Sequence, residues 1–200
     1  MLVGKDEQLF VVHRTTISDN SAFFEAAVSA CWMDGNSKVV KLPETDTQEF
    51  EVYVHWVYTH DIDMTFMAEP SQATAPSWLN LSKIWILARY LQDMRLCNQV
   101  IDLCLEKLPR VPGFTITHTT LQYAWEHTMT DSPLRRLFTN IMVANVSVRR
   151  LDEYGHEYPF EIILSMAREF AGRNQAVPEV PKNEDRCRYH IHEDGVEKCS

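Results

Sequence analysis

The sequence contains one stretch, QLFVVHRTTISDNSAFFEAAV at residues 8–28, in which a strand pattern changes into a helix pattern. Residues 8–12 form a short run of aromatic and β-branched side chains with charged residues on both sides, which predicts a buried strand. Ser21 is a typical capping residue and good helix formers follow it, so a helix is predicted from there. Residues 1–4 have the pattern of the end of another strand.

Further along the chain, apolar residues recur first at the spacing of a strand and then at the spacing of helices. Residues 38–42 alternate between polar and apolar, as in a half-buried strand. Thr47 is the predicted N-cap of the next helix, and two consecutive helices are predicted between residues 78 and 108. This order of strand, helix, strand, helix and helix pair indicates an α+β domain.

Three more helices are predicted after this pair, and a polar segment follows them. Ser132 and Pro133 are a cap and a first helical residue, and the last helix is predicted over residues 159–170. Beyond Gly172 the chain is polar, which is typical of a linker or a disordered tail. The residues of the last helix that are predicted to face inward are Phe160, Ile163, Leu164 and Ala167.

The charge balance argues against direct binding of nucleic acid. The chain has 19 Lys and Arg residues against 28 Asp and Glu residues, a formal net charge of −9. A duplex binder needs a basic face to displace counterions from phosphates. The basic pairs at 135–136 and 149–150 are interpreted as solvated surface on helices.

The five cysteines and the start of the chain predict an intracellular protein, either nuclear or cytoplasmic. An odd number of widely spaced cysteines is typical of a reducing compartment. No signal peptide pattern and no apolar run of about 20 residues is found, so no membrane partner is expected. Cys97 and Cys104 share the inward face of one helix and are interpreted as small buried hydrophobic residues.

No catalytic signature is found in the sequence. It contains no nucleophile elbow, no phosphate-binding glycine loop and no zinc-protease motif. The chain is therefore predicted not to be an enzyme and to need no cofactor for catalysis. An enzyme with an active site of an unrecognised kind is kept as the alternative of another class.

The residues at the junctions between these elements resemble the BTB/POZ domain. The family has a strand that enters a helix at a His-Arg pair, then a strand, an acidic turn and a helix ending in Tyr-Thr-Gly, and later a helix pair. His60 stands here in place of the family glycine, where a left-handed backbone would be strained. The matching segments are 10–14 with Ile17, 21–24, 39–43, 50–59, and 88–91 with Leu96 and Cys97.

This resemblance implies an α+β fold, with a small sheet flanked by helices and then a mostly helical extension. The first strand is predicted to be truncated, because in the family it normally begins several residues further ahead of Gly4. Residues 132–137 are similar to the helical extension of stand-alone BTB proteins of fungi. The predicted parts are a BTB/POZ domain at 1–110, a helical extension at 111–171, and a polar tail at 172–200.

The resemblance also implies a function in protein–protein interaction, with homotypic association and recruitment of an unknown protein partner. Phe23, Phe24 and Val28 are predicted to supply apolar surface for association through the first helices, while His13 and Arg14 are predicted to cap and anchor the first helix.

An alternative is a substrate adaptor of a cullin-type ubiquitin ligase, because some family members dock on the cullin scaffold through an apolar-x-acidic motif. Met67 and Glu69 fit that motif.

Four metal-competent side chains lie close together near the end of the chain, in the pattern Cys-x2-His-x-His-x6-Cys. They are Cys187, His190, His192 and Cys199. Two thiolates and two imidazoles suit the tetrahedral preference of a structural Zn2+. The alternative interpretation is a solvated tail in which these residues have no common role. Four protein ligands would leave no open position, so a catalytic metal is not expected.

Overall fold

The structure of the protein is a computed structural model, and it forms two compact units. One unit comprises Met1–Val100 and the other comprises Ile101–Ser200. The residues described are 1–33, 39–67, 77–108, 114–172 and 179–192. In this part of the chain, no helix has the length and apolar character that crossing a membrane requires.

A three-stranded sheet forms one part of the first unit. Strand β1 (Leu2–Val3) lies in the centre, antiparallel to β2 (Gln8–Leu9) and parallel to β3 (Lys41–Leu42). Val3 and Leu42 are paired in register and fully buried. The strands predicted at the start of the chain and near residue 42 are therefore present, although each is short.

The prediction of a buried strand at residues 8–12 is wrong in its extent and its burial. Strand β2 ends at Leu9, where the Leu9 side chain is 67% exposed, and Val11 is 89% exposed. The reason is the position of β2 at the edge of the sheet, where among the described strands it is hydrogen-bonded to β1 alone. Phe10 is the residue that packs inward, with its ring centroid 5.0 Å from that of Phe50.

Helices surround this sheet and contribute the core of the first unit. Asp46 caps α3 by accepting hydrogen bonds from the amides of residues 48 and 49, so the predicted cap at Thr47 is one residue late. The helix pair predicted between residues 78 and 108 is present. The helices are α1 (Arg14–Asn20), α2 (Ala22–Met33), α3 (Thr47–Thr59), a 3-10 helix (Met64–Met67), α4 (Trp78–Tyr90) and α5 (Met94–Lys107), of which α5 continues beyond Val100, the last residue of this unit.

An aromatic cluster fills the centre of this unit. Phe24, Phe50 and Tyr53 are all fully buried. The ring centroids of Phe24 and Tyr53 lie 6.1 Å apart, and those of Phe50 and Tyr53 lie 5.9 Å apart. Aromatic pairs at such distances stabilise a core beyond the area that they bury.

The described part of the second unit is helical, and α7 is its most buried element. Ser132 precedes α7 as its N-cap, with a proline in the first turn as predicted, although its hydroxyl makes no capping hydrogen bond. Leu134, Leu137 and Phe138 on this helix are fully buried. The remaining helices are α6 (His118–His127), α7 (Pro133–Asn145), α8 (Val148–Tyr154), a 3-10 turn (Gly155–Glu157) and α9 (Phe160–Gly172).

Helix α9 faces the core with residues other than those predicted. Ile162 and Met166, one turn apart, are buried, whereas Phe160 is 73% exposed and Leu164 is 37% exposed. Ala167 is also exposed, so the predicted inward face is wrong. The apolar run at 160–164 offers two possible stripes, and the stripe of Ile162 is the one that packs toward α7.

The chain after α9 contains an ordered segment that the polar composition did not predict. A 3-10 helix spans Asn183–Arg188, and Tyr189 after it is only 1% exposed. The Nδ2 of Asn140 on α7 donates a hydrogen bond of 2.9 Å to the hydroxyl of Tyr189. A buried aromatic residue therefore connects this segment to α7.

Candidate interaction site

The α2 residues predicted for self-association differ in their accessibility. Phe24 is fully buried in the aromatic core, whereas Phe23 and Val28 are half-buried. The ring centroid of Phe23 lies 5.3 Å from that of Tyr90, a residue of α4 that is 54% exposed. Phe23 and Tyr90 thus form an aromatic pair at the surface of the first unit, which we call the Phe23 pair.

A buried polar cluster lies beneath this surface and fixes the ends of two helices. The Ser21 hydroxyl donates to the carbonyl of Leu91 at 2.5 Å and accepts from the amide of Phe24 at 3.1 Å. Ser21 therefore caps α2, as predicted from the sequence. Because Ser21 joins the start of α2 to the end of α4, it also holds the elements that carry the Phe23 pair.

Asp93 is the second member of this buried cluster. Its carboxylate accepts hydrogen bonds from the amide of Leu96 at 2.9 Å and from the indole nitrogen of Trp56 at 3.0 Å. Asp93 is fully buried, and this burial raises the pKa of its carboxyl group. Burial and the neighbouring Asp93 charge together raise the pKa of Tyr53. Through these hydrogen bonds the cluster supports the start of α2 and the start of α5.

His13 was predicted to cap and anchor α1. It is anchored by the hydroxyl of Tyr58 on α3. The backbone amide and the Nδ1 of His13 both lie within hydrogen-bond distance of the Tyr58 hydroxyl, at 2.9 and 2.8 Å. The His13 side chain itself makes no capping bond. At the end of α3, His60 adopts a left-handed backbone with φ of 56°, so a residue with a side chain bears the strain at this position.

The two residues of the predicted cullin motif are described only in part. Met67 is half-buried at the end of a 3-10 helix, and its carbonyl accepts a hydrogen bond from the side chain of Asn80. Glu69 lies outside the described residues. Phe66 beside Met67 is 38% exposed and its ring lies 5.7 Å from the ring of His55.

The structure brings together two residues of the predicted zinc site. The Sγ of Cys187 lies 3.3 Å from the Nε2 of His192. The Nε2 of His190 instead lies 2.9 Å from a carboxylate oxygen of Asp102. Cys199 is outside the described residues. Within the described part of the chain, no three or more His, Cys, Asp or Glu side chains are grouped so that they could hold a metal ion.

The buried cysteines have the environment of structural residues. Cys97 and Cys104 are fully buried, as the sequence predicted. Burial raises the pKa of Cys104 to about 12, and the pKa of Cys97 is raised as well. Their thiols are therefore protonated at neutral pH, which makes them poor nucleophiles.

Arg135 has a role that the sequence did not predict. Its guanidinium donates to the carbonyl oxygens of Trp125 and Thr128 and, at 2.8 Å, to the Thr128 hydroxyl. It also lies over the Trp125 ring, 5.3 Å from the centroid. The interpretation of this residue as solvated surface is wrong, because the guanidinium closes the turn between α6 and α7.

A small sheet surrounded by helices, with a helix pair at the end and an aromatic pair at the surface, defines the first unit as an α+β interaction module. The family model of the BTB/POZ domain matches residues 1–108, and the chain belongs to this family. BTB/POZ domains mediate self-association and the binding of other proteins, and the family is not one of enzymes. No curated protein matches the chain.

Proposed function

We propose that the protein is a scaffold that associates with itself through helices α1 and α2 and recruits a second protein. The observation that carries this proposal is the Phe23 pair, in which Phe23 and Tyr90 leave aromatic surface accessible beside α2. Partly exposed aromatic residues on a rigid helix are frequent anchors of protein interfaces. Phe24 supports the site from the core, and Val28 supplies further apolar surface on the same helix.

The test is the oligomeric state of the full chain at high protein concentration, measured by light scattering and sedimentation. Ala26 is exposed on α2, so Ala26→Arg adds a charge to this surface without placing the charge in the core. The substitution is expected to shift the protein to the monomer. Ala171→Arg, at an exposed position at the end of α9, is the matched control and should leave association unchanged.

Phe23→Ser tests the aromatic pair directly and should weaken association in the same assay. A strict monomer in the wild-type protein, or unchanged association in both α2 variants, contradicts self-association through this surface. Circular dichroism of each variant shows whether the first unit is still folded.

The cullin-adaptor alternative is supported by the motif at Met67 and Glu69 and by the exposed Phe66 beside it. An apolar side chain held on a short 3-10 helix is suited to insertion into a groove of a partner. Phe66→Ala with Met67→Ala should abolish co-purification of a cullin, while Leu9→Ala, at an exposed apolar residue away from the motif, should not. Absence of a cullin from the wild-type complex would contradict this alternative.

A structural zinc ion held by Cys187, His190, His192 and Cys199 stays a proposal. The proximity of the Cys187 thiol to the His192 imidazole supports it, since an S to N distance near 3.3 Å fits two ligands of one ion. Asp102, bonded to His190, has the position of a carboxylate that orients a ligating histidine. Metal analysis of the purified protein is expected to find one zinc per chain, and Cys187→Ser should remove it.

A further inference from the structure

A polar cavity of about 270 Å³ opens in the second unit, between the start of α7 and the middle of α9. All the residues that line it are polar or charged, so it offers no apolar surface to a ring or an acyl chain. Three guanidiniums line it, those of Arg135, Arg136 and Arg168, against the carboxylates of Asp131 and Glu169. The cavity therefore has a formal excess of one positive charge, in a chain whose net charge is −9.

Two of these guanidiniums come from different helices and lack a partner. Arg136 on α7 and Arg168 on α9 are exposed, and in the described part of the chain neither has an ion pair or a side-chain hydrogen bond. Arg135 differs, because its guanidinium is held by the carbonyls of Trp125 and Thr128. Like charges around one opening repel each other, and an anion between them removes this repulsion.

A second, independent feature of the cavity is the hydroxyl of Thr139. Thr139 on α7 lines the cavity and is only 6% exposed, and its side chain has no hydrogen-bond partner in the described part of the chain. Its oxygen keeps accessible surface, unlike the enclosed hydroxyl oxygen of Ser132 beside the same cavity. Buried polar groups are almost always paired in folded proteins. The Thr139 hydroxyl therefore faces the cavity as a donor for a ligand that accepts hydrogen bonds.

The hydrogen-bond donors of this cavity come from separate directions. One unpaired guanidinium lies on each of the two helices, and Thr139 is buried in the wall. A phosphate group presents three terminal oxygens at tetrahedral angles, and a guanidinium bonds such a group through two parallel N–H donors. The first turn of α7 also borders the cavity, where the helix dipole favours negative charge. We propose that this cavity binds a phosphate group.

Two sources carry this chemistry, a phosphoserine side chain of a partner protein and a small free phosphate compound. The first source rests on the proposed recruitment of a second protein and names the modified side chain by which the helical unit holds it. A nucleotide fits less well than either, because no aromatic side chain lines the cavity to stack on a base.

The experiment titrates the full 15N-labelled chain with a capped peptide that carries one phosphoserine between glycine and alanine residues. The backbone amide signals of Thr139 and Ser165, which line the cavity, are the readout. The same peptide with serine is expected to bind about tenfold more weakly, because the charge-assisted hydrogen bonds are lost. Affinity for the phosphopeptide should also fall as salt is added. Inorganic phosphate, titrated in the same buffer, tests the free source.

Variants of the cavity provide the second arm. Arg136→Gln with Arg168→Gln should weaken binding of the phosphopeptide about tenfold. The charge-matched control is Lys107→Gln with Arg149→Gln, at exposed positions outside the cavity lining, and it should bind as the wild type does. Thr139→Val should weaken binding without lowering the melting temperature, because the hydroxyl that it removes has no partner in the free protein, and Thr139→Ser should keep binding. A threonine with a merely structural role would show a lower melting temperature and unchanged binding.

Equal affinity for the phosphoserine and serine peptides, without binding of inorganic phosphate, overturns the proposal, and so does wild-type affinity in the Arg136 and Arg168 double variant. Tighter binding of the phosphopeptide than of inorganic phosphate supports the site with a protein as its source, and the opposite order supports it with a free phosphate compound. Light scattering on the same samples keeps the two proposals apart. Self-association without phosphate binding refutes the cavity inference alone, and a monomer that binds phosphate refutes only the self-association.

Discussion

Removal of the Asp93 carboxylate should destabilise the first unit more than removal of any exposed carboxylate. In Asp93→Ala, helix α5 loses the hydrogen bond from its Leu96 amide, and loss of such a cap costs about 1 kcal/mol. The indole N–H of Trp56 is left buried without its acceptor, which costs about 1–3 kcal/mol. Because the carboxylate is buried, relief of its desolvation offsets part of this loss. The expected change in the free energy of unfolding is about 2–3 kcal/mol.

The assay is urea unfolding of the full chain, followed by tryptophan fluorescence and circular dichroism. A double-mutant cycle with Trp56→Phe, which keeps an aromatic ring and removes the donor, isolates the contact between the two side chains. The coupling free energy should be about 1–2 kcal/mol. Asp61→Ala, at an exposed aspartate of the same unit, is the control. Additive effects of the Asp93 and Trp56 substitutions, or an Asp93→Ala variant as stable as the control, would refute the reasoning.

The pH dependence of stability gives a further check on Asp93. Its pKa is raised by burial above the ordinary value of 3.8, so the folded state binds a proton more tightly than the unfolded state. The stabilisation from this proton is complete below pH 3.8 and is lost as the pH rises through the folded pKa. The difference in stability between wild type and Asp93→Ala should therefore be larger near pH 4 than near pH 7. A difference that grows with rising pH would contradict the assigned direction of the shift.

Three other substitutions test local features of the two units by thermal and urea unfolding. Gly4 has φ of 76° and an added Cβ would lie 3.2 Å from Cγ2 of Thr47, so Gly4→Ala should lower stability by about 1–2 kcal/mol; an unchanged melting temperature would contradict the strain. His60→Gly relieves a left-handed residue at the end of α3 and should raise stability by about 0.5–1 kcal/mol, whereas a decrease would show that the ring contact of His60 with Trp56 matters more. Tyr189→Phe leaves the buried Asn140 amide without its acceptor and should cost about 1–2 kcal/mol in the second unit, with faster hydrogen exchange in α7; equal exchange rates would refute this.

The sequence predicted those elements whose periodicity has only one interpretation. Helices α4 and α5 were predicted because their apolar residues repeat on one face, and the BTB/POZ resemblance of the first 108 residues is confirmed. An apolar run without clear alternation is a weaker guide to burial, because it does not indicate which face of the strand or helix packs against the core. Leu9 and Val11 are exposed for this reason, and α9 packs through the neighbouring stripe.

The candidate site was predictable only where it depends on local sequence. Phe23 was predicted from the family resemblance, and its role in association stays a prediction; the burial of Phe24 follows from a core that the sequence alone does not assemble. Arg135 gave no signal, since its role depends on atoms that the fold brings to it. The guanidinium of Arg135 donates hydrogen bonds to carbonyl oxygens 7 and 10 residues before it in the chain.

The contact between Asn140 and Tyr189 has a consequence for the order in which the chain folds during synthesis. The two residues are 49 positions apart, so Tyr189 is synthesised after the helices that it completes. Helices α6, α7 and α9 leave the ribosome well before residue 189, so they are able to pack while the amide of Asn140 still lacks its partner. Long-range contacts of this kind form late. Completion of the helical unit thus waits for residue 189, and a variant that ends at Gly172 should be more open to proteases than a chain that includes Tyr189.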